Sequence, residues 1–544
     1  MRLNPAWWLV SGLVALLVLL PVLSIAGHAL QGSGELWPHL RAYVLPQALA
    51  QTLLLLAGVG ALVILLGTGS AWLVTAYEFP GRRLLSWALL LPLAVPTYIV
   101  AYVYLDILHP IGDLQTWLRE LLGYSSPRQF RLPDIRSLGG CILLLGLVLF
   151  PYVYLPTRAL FMMQAAGVLD AAASLGVGPG RRFFRIALPL ARPAIAVGAS
   201  LALMEAINDI GAAELLGVRT LTVSVYSTWV NRSSLAGAAQ IALFMLMLVL
   251  SLIALERWAR RHSHYASSAR QNRTLTPRPL SSAGWLLVIV AWLAVTLGFL
   301  VPAGHLLAAS VERWNDVGLD ASLLDKTLNT LTFASIATLM AALLAFVLVY
   351  SSRLARAAPG MHLVVRIASL GYAVPGTVLA IGLLGPLGWL DATLDHQAQQ
   401  LFGISTGLLL SGTGAALVYA YVARFLAIGT GSVEAGFDKI PYSLDDAARS
   451  LGTGASQRAR RIHWPLARPA LAAAMLLIFV DCMKELPASL LLRPLNVDTL
   501  ATHLYGEASR GSYESGALAA LLILLAGVLP IVLLSRYGLK QASH

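Results

Sequence analysis

Charge, cysteine and lysine are what this chain has little of. Only 12% of its 544 residues are charged, too few to solvate the surface of an ordinary soluble domain of that length. The two cysteines, Cys141 and Cys482, lie in or beside apolar runs with no partner at metal-ligand spacing. They read as small core residues, not as a disulfide or a metal clip. The four lysines, Lys326, Lys439, Lys484 and Lys540, all lack the glycine-rich approach of a phosphate-binding loop, so no nucleotide-hydrolysing site of that kind is expected. Short strands of alternating polarity, the signature of a membrane β-barrel, are missing as well.

Apolar residues are abundant, at 58% of the chain with a mean hydropathy of +0.74. They fall in repeated runs of about 20 residues, each long enough to cross a hydrocarbon core near 30 Å, which predicts an all-α polytopic membrane protein. Six spans are expected in the first half, near 6–27, 48–76, 84–108, 138–163, 193–217 and 236–256. Six more are expected near 284–308, 327–350, 363–390, 405–432, 469–492 and 514–535. The first run exceeds the roughly 7 to 15 residues of a signal-peptide core, so an uncleaved span is expected there. The domains read as 1–256, a basic linker over 257–282, and 283–544. An even number of spans per half makes the two repeats parallel, related by a pseudo-twofold axis along the membrane normal.

The net charge of +12 raises the question of nucleic acid, and its distribution answers it. Most Lys and Arg residues fall on one side of the expected spans, which by the positive-inside bias is the cytoplasm and which also holds both chain termini. The linker RWARRHSHYASSARQNRTLTPRPLSS is polar and basic without a helical apolar stripe. It is read as a juxtamembrane linker, the alternative being a nucleic-acid or lipid-headgroup patch; for the chain as a whole, membrane lipid and no nucleic acid is expected.

One polar, glycine-punctuated stretch occurs twice without a gap: DAAASLGVGPGRRFFRIALPLARPA from Asp170, and DAARSLGTGASQRARRIHWPLARPA from Asp446. Ala171, Ala172 and Leu175, and Ala447, Ala448 and Leu451, predict a small apolar face on a short helix. Gly176 and Gly452 are placed to end it. Pro189 and Pro465 close each copy's shared skeleton. The alternative is a cytoplasmic linker helix without a partner, which a duplicate in register disfavours.

The fifth span of each half contains charge. Glu205 and Asp209 stand four apart, and Asp481 and Glu485 stand at the matching positions with Lys484 beside them. An ionised group at mid-membrane costs roughly 2.5 to 3.5 kcal/mol even on the lenient insertion scale, so these side chains are expected to face the interior or a water-filled route. A spacing of four predicts each pair on one helix face. The competing reading has Lys484 neutralising Asp481 or Glu485 within a structural network. Glu214, nearer the outer end, is read as solvated. Pro96 and Pro375, inside the third spans, predict kinks that would help gate a pathway.

The doubled stretch closely resembles the EAA motif of the membrane subunits of ATP-binding-cassette importers. Asp170 and Asp446 replace the usual Glu, and Trp464 replaces a Leu. The fused halves, PLAVPTYIVAYVYL from Pro92, and MKELPASLLLRPLNVDTLATHLY from Met483 look like the permease of ferric-iron importers over nearly the whole chain. The resemblance implies the type I importer fold in a bacterial inner membrane, two ATPase subunits docked on the two coupling loops, and a periplasmic substrate-binding protein. It further implies that ATP and Mg are bound by the ATPases, with no cofactor in this chain, so the chain is a permease and not an enzyme. Ferric iron is the expected cargo, its transient contacts falling to Glu205, Asp209, Asp481 or Glu485. Permeases for thiamine, 2-aminoethylphosphonate, polyamines or sulfate share the fold. An ion-coupled transporter would bury carboxylates but needs no repeated docking loop, and a prenyltransferase-like enzyme would need a second aspartate-rich cluster.

Overall fold

A computed structural model describes residues 5–164, 171–172, 174–260, 277–282, 284–318, 320–355 and 359–541. Asp170 and most of the basic linker lie outside them.

Apolar runs become helices because the hydrocarbon core leaves backbone N–H and C=O groups no other partner. In the first half these are α1 (Pro5–Gln31), α2 (Leu45–Ala76), α3 (Arg82–Ala88), α4 (Thr97–Ile107), α5 (Asp113–Leu122), α6 (Leu138–Leu149), α7 (Pro151–Gln164), α8 (Leu188–Asn208), α9 (Gly211–Leu215), α10 (Leu221–Arg232) and α11 (Leu235–Arg260). The second half contains α12 (Gly284–Val295), α13 (Val301–Val317), α14 (Ala321–Leu354), α15 (Pro359–Ala368), α16 (Gly376–Phe402), α17 (Ala415–Phe437), α18 (Tyr442–Ser450), α19 (Trp464–Met483), α20 (Pro487–Leu492), α21 (Leu500–Arg510) and α22 (Tyr513–Gln541). Among the described residues, eleven helices are long and apolar enough to cross a membrane. The bent pair of Arg82–Ala94 and Thr97–Ile107 makes a twelfth if it is one span.

The third spans are broken, not gently kinked. Between Ala94 and Thr97 the chain turns by 91°, with Pro96 extended at φ −58°, ψ 143° as the residue that starts α4. Pro375 adopts nearly the same conformation, φ −56°, ψ 142°, in front of α16. The residue before a proline is pushed out of helical geometry, so both breaks follow from local sterics.

Compactness divides the chain differently from the sequence repeat. One unit comprises Met1–Leu40, Val225–Leu243 and Leu319–His503, and the other Arg41–Ser224, Phe244–Gly318 and Leu504–His544. In the first unit α14, α17 and α19 pack as a core, and α1, the leading helix of the other sequence half, lies on α15 and α16. A Cβ on Gly382 would meet the Pro21 backbone, 2.8 Å from its Cα, so a glycine lets α1 approach α16 closely. In the second unit α2, α6, α7 and α8 form the core, and α13 of the other half packs on α22. Small residues set these approaches too, since a Cβ on Gly198 would lie 2.6 Å from the Val153 Cα and one on Gly67 2.7 Å from the Val153 Cβ. Helices in lipid associate by such close packing because no hydrophobic drive distinguishes a neighbour from an acyl chain.

Candidate functional site

The second repeated stretch folds as α18 followed by a left-handed stop. Gly452 has φ +75°. Its N–H bonds the Arg449 carbonyl at 2.9 Å, and the Thr453 N–H bonds the Ala448 carbonyl at 3.1 Å. This 5→2 and 6→1 pair is the Schellman ending, which favours glycine at the turning residue. In the first copy Gly176 has φ +76° and the Val177 N–H reaches the Ala172 carbonyl at 3.0 Å. Ala172 and Ala448 are buried at matching positions, while Leu175 and Leu451 are each 82% exposed. Pro189 and Pro465 are the second residues of α8 and α19, each directly after a π-helical turn, Phe183–Ala187 and Ala459–His463, which loosens the i→i−4 ladder where the proline lacks an N–H. Asp446 is largely exposed, with Arg449 3.4 Å away.

Its neighbour Asp445 is the buried acid. Asp445 Oδ2 accepts from Arg353 Nε at 2.8 Å, and Oδ1 lies 2.7 Å from His463 Nε2. Burial works to raise the Asp445 carboxyl pKa, but the hydrogen bonds and charges of Arg353 and His463 outweigh it and hold the pKa below the ordinary carboxylate value. Arg353, in the last turn of α14, also donates to the carbonyls of Phe437 (2.9 Å) and Ile440 (2.8 Å), and its guanidinium stacks 4.4 Å over the Tyr442 ring. One side chain therefore ties α18 to the ends of α14 and α17. In the register of the repeat, Leu169 and Ala187 stand where the second copy has Asp445 and His463, so this anchor belongs to one copy.

A pair of arginines was also not anticipated. Arg182 and Arg458 stand at matching positions and both are buried, and Arg458 Nη1 donates to the Thr453 carbonyl at 2.9 Å. Their repetition in register was the signal.

The intramembrane acids do not lie as paired residues on one helical face. Helix α8 ends at Asn208, and Asp209 is extended at φ −71°, ψ 113°. Asp209 Oδ1 then accepts from the N–H groups of Ala212 (2.7 Å) and Ala213 (3.4 Å) at the start of α9, while Oδ2 accepts from the Thr97 hydroxyl. Glu205, one turn earlier, is half-buried. Helix α19 likewise stops at Met483. Glu485 caps α20, accepting from the N–H groups of Ala488 (2.9 Å) and Ser489 (3.1 Å) and from the Ser489 hydroxyl (2.9 Å). An acid that falls where the helix breaks satisfies N–H groups that lipid would leave bare.

Each break meets the third-span break of its own unit. Thr97, which donates to Asp209, directly follows Pro96. Gly376, which directly follows Pro375, is packed so tightly that a Cβ would lie 2.7 Å from Glu485 Oε1 and closer still to Arg424 Nη1. Arg424, on α17 and buried, donates to Glu485 Oε1 at 3.0 Å. Sequence reasoning did not single out Arg424, although an arginine inside an apolar run is itself a signal. Lys484 pairs with Asp481 at 2.8 Å. The four carboxylates are thus offset by two cations and not one, Arg424 and Lys484, both in the same unit, while in the other unit Asp209 has an uncharged hydroxyl donor. Glu214 is not simply solvated, because its Oε2 accepts from the Tyr505 hydroxyl at 2.5 Å. Among the described residues no group of three or more His, Cys, Asp or Glu side chains is placed to hold a metal ion.

Comparison with known proteins matches a family model described as binding-protein-dependent transport system inner membrane component twice, over residues 63–263 and 337–538. The chain is 24% identical over 504 residues to an Fe(3+)-transport system permease protein of Haemophilus influenzae, covering 91% of this chain and 90% of the relative. A putative 2-aminoethylphosphonate transport system permease protein of Salmonella choleraesuis is 30% identical over 270 residues, 48% of this chain and 93% of the relative. A molybdenum transport system permease protein of Escherichia coli is 28% identical over 223 residues, 39% of this chain and 94% of the relative.

Proposed function

The chain belongs to the family of binding-protein-dependent transport system inner membrane components, and from that premise we propose what it carries and with which subunits it works. It is a multi-pass inner-membrane permease of an ATP-binding-cassette importer, a transport component and not a catalyst. The cargo we assign is ferric iron. The observation that carries this choice is length: the iron-transport relative aligns along both fused halves, whereas the phosphonate and molybdenum relatives align over 270 and 223 residues.

A periplasmic binding protein delivers the cargo, and two copies of an ATPase subunit dock on the cytoplasmic coupling segments, where both chain termini also lie. Two matching leucines left 82% exposed on glycine-stopped turns support that docking, since such side chains gain from being covered. ATP and Mg belong to those subunits, and this chain holds no cofactor. Nucleotide-driven closure displaces the coupling segments, and Arg353 passes the movement of α18 to the ends of α14 and α17. The lining of the translocation route falls to Glu205, Asp209, Asp481, Lys484 and Glu485, with the breaks at Pro96 and Pro375 as gates. Arg424 and Lys484 bring cations to the same region, which favours an anionic cargo such as a phosphonate as the second reading.

Proteoliposomes containing the chain, its ATPase and its binding protein test both readings. ATP-dependent entry of ferric iron, and not of 2-aminoethylphosphonate, molybdate or thiamine, is the expected result. Entry of an anion alone would replace the cargo, and entry without ATP would refute the coupling scheme.

A further inference from the structure

Helix α5 is built with its polar residues inward. Gln115 and Arg119, one turn apart, are 1% and 5% exposed, while Trp117, Leu121 and Leu122 are 57%, 67% and 51% exposed. The inward pair has definite work. Gln115 Nε2 donates to the Leu108 carbonyl at 2.7 Å, its Oε1 accepts from the Leu132 N–H at 3.1 Å, and Arg119 Nη1 donates to the Pro110 carbonyl at 2.9 Å. These bonds satisfy backbone groups of the turn that ends α4 and of the loop that leads to α6. They also fix the roll of the helix.

With the roll fixed, 100° per residue places Leu114, Trp117, Leu118 and Leu121 within an arc of about 100°, and Asp113, Thr116 and Glu120 within a separate arc of about 60°. Leu114, Trp117 and Leu121 on the first arc and all three residues on the second face outward. A helix meeting only water would not leave the first arc bare, and a helix sunk in the bilayer would not carry the second. Side-by-side apolar and polar arcs, with a Trp on the apolar one, suit a helix lying in the plane of a membrane interface. Its position agrees: α5 precedes α6 and α7, which cross together and lead to the coupling segment, so α5 sits at the opposite end of that span.

We propose that α5 is an interfacial anchor, with Leu114, Trp117 and Leu121 in the headgroup–acyl boundary of the outer leaflet and Thr116 and Glu120 in water, the choice of leaflet resting on the orientation proposed above. By holding α5 at that depth, the bilayer fixes the outer end of α4 through Gln115 and Arg119. The occupant of the apolar arc is lipid, since a docked protein would be expected to cover the adjoining charged arc as well.

The test uses the full chain in nanodiscs of phosphatidylethanolamine and phosphatidylglycerol. Both native cysteines are buried, which leaves a nitroxide label to Leu121→Cys or Glu120→Cys, with Leu114→Cys as a second apolar site. The ratio of oxygen to nickel-chelate collision is expected to be several-fold higher at residues 121 and 114 than at 120. Equal, nickel-dominated collision at all three would overturn the proposal. Shielding of residue 121 that appears only when the binding protein is added would overturn it in favour of a protein partner. A membrane-impermeant reductant added from each side reports the leaflet, so a wrong orientation is distinguishable from a wrong anchor.

Discussion

Replacing Gly376 by alanine tests the joint between the third and fifth spans at its tightest point. The added Cβ would lie 2.7 Å from Glu485 Oε1, nearer still to Arg424 Nη1, and 3.0 Å from the Pro487 Cβ. Ordinary contact begins near 3.4 Å, so something must move by several tenths of an ångström. Pro375 restricts the backbone immediately before it, which leaves the ion pair to give. Losing one charge-assisted hydrogen bond costs about 1.5 to 3 kcal/mol, and parting the buried pair completely costs about 3 to 5 kcal/mol. The lower figure already corresponds to roughly a tenfold shift in any equilibrium that needs the joint closed. ATP-driven uptake by Gly376→Ala is therefore expected to fall about tenfold or more, with earlier thermal unfolding of the purified chain. Gly431→Ala, on α17 with nothing within 4 Å of the new methyl, is the control and should lower neither, since alanine is the better helix former. Wild-type uptake and melting in Gly376→Ala would refute the reasoning, because the ion pair would then not be packed against that backbone in the working protein.

Thr97→Val removes the hydroxyl donor to Asp209 while preserving shape, and is expected to cost about 1 kcal/mol or more in stability; an unchanged melting curve would argue against the joint. Arg353→Met leaves Asp445 buried with His463 as its remaining side-chain partner and strips donors from two helix-end carbonyls, a loss of about 3 to 5 kcal/mol. Hydrogen exchange in α18 should quicken and ATP hydrolysis should uncouple from uptake, whereas Asp446→Asn should leave exchange in α18 as it is. Gly452→Val and Gly176→Val have space for a side chain but the wrong backbone sign, worth about 1 to 2 kcal/mol each. Gly452→Asn should retain more uptake than Gly452→Val, since Asn tolerates the left-handed conformation, and equal activity of the two would show that the Schellman turn is not needed.

Much of the local fold of the repeated polar stretch was legible because its signals are local. An alanine pair, a leucine and a glycine at fixed spacing specify a short helix and its stop, and a second copy removes chance. Arg353 and His463 were not legible as partners of Asp445, since neither recurs at the matching position of the first half and Arg353 reaches Asp445 from 92 residues away. Arg424 carried a readable warning, a cation in an apolar run, but its partner could not be named from spacing. The expectation of Glu205 with Asp209, and Asp481 with Glu485, on single helix faces failed because apolar periodicity does not record where a helix stops and the next begins. The acids sit at those stops, where they cap α9 and α20.

By itself the sequence determined the class: long apolar runs dictate spanning helices, duplication dictates two matching sets, and the glycine-stopped segments recur in register. Tertiary structure alone decided that α1 packs with the core of the second half and α13 on α22. Hydropathy is the same on every apolar helix, so it cannot say which neighbour a helix chooses. That choice rests on shape, through glycines such as Gly382, and on single long-range bonds such as Arg424 to Glu485, whose partners meet only once the chain is folded.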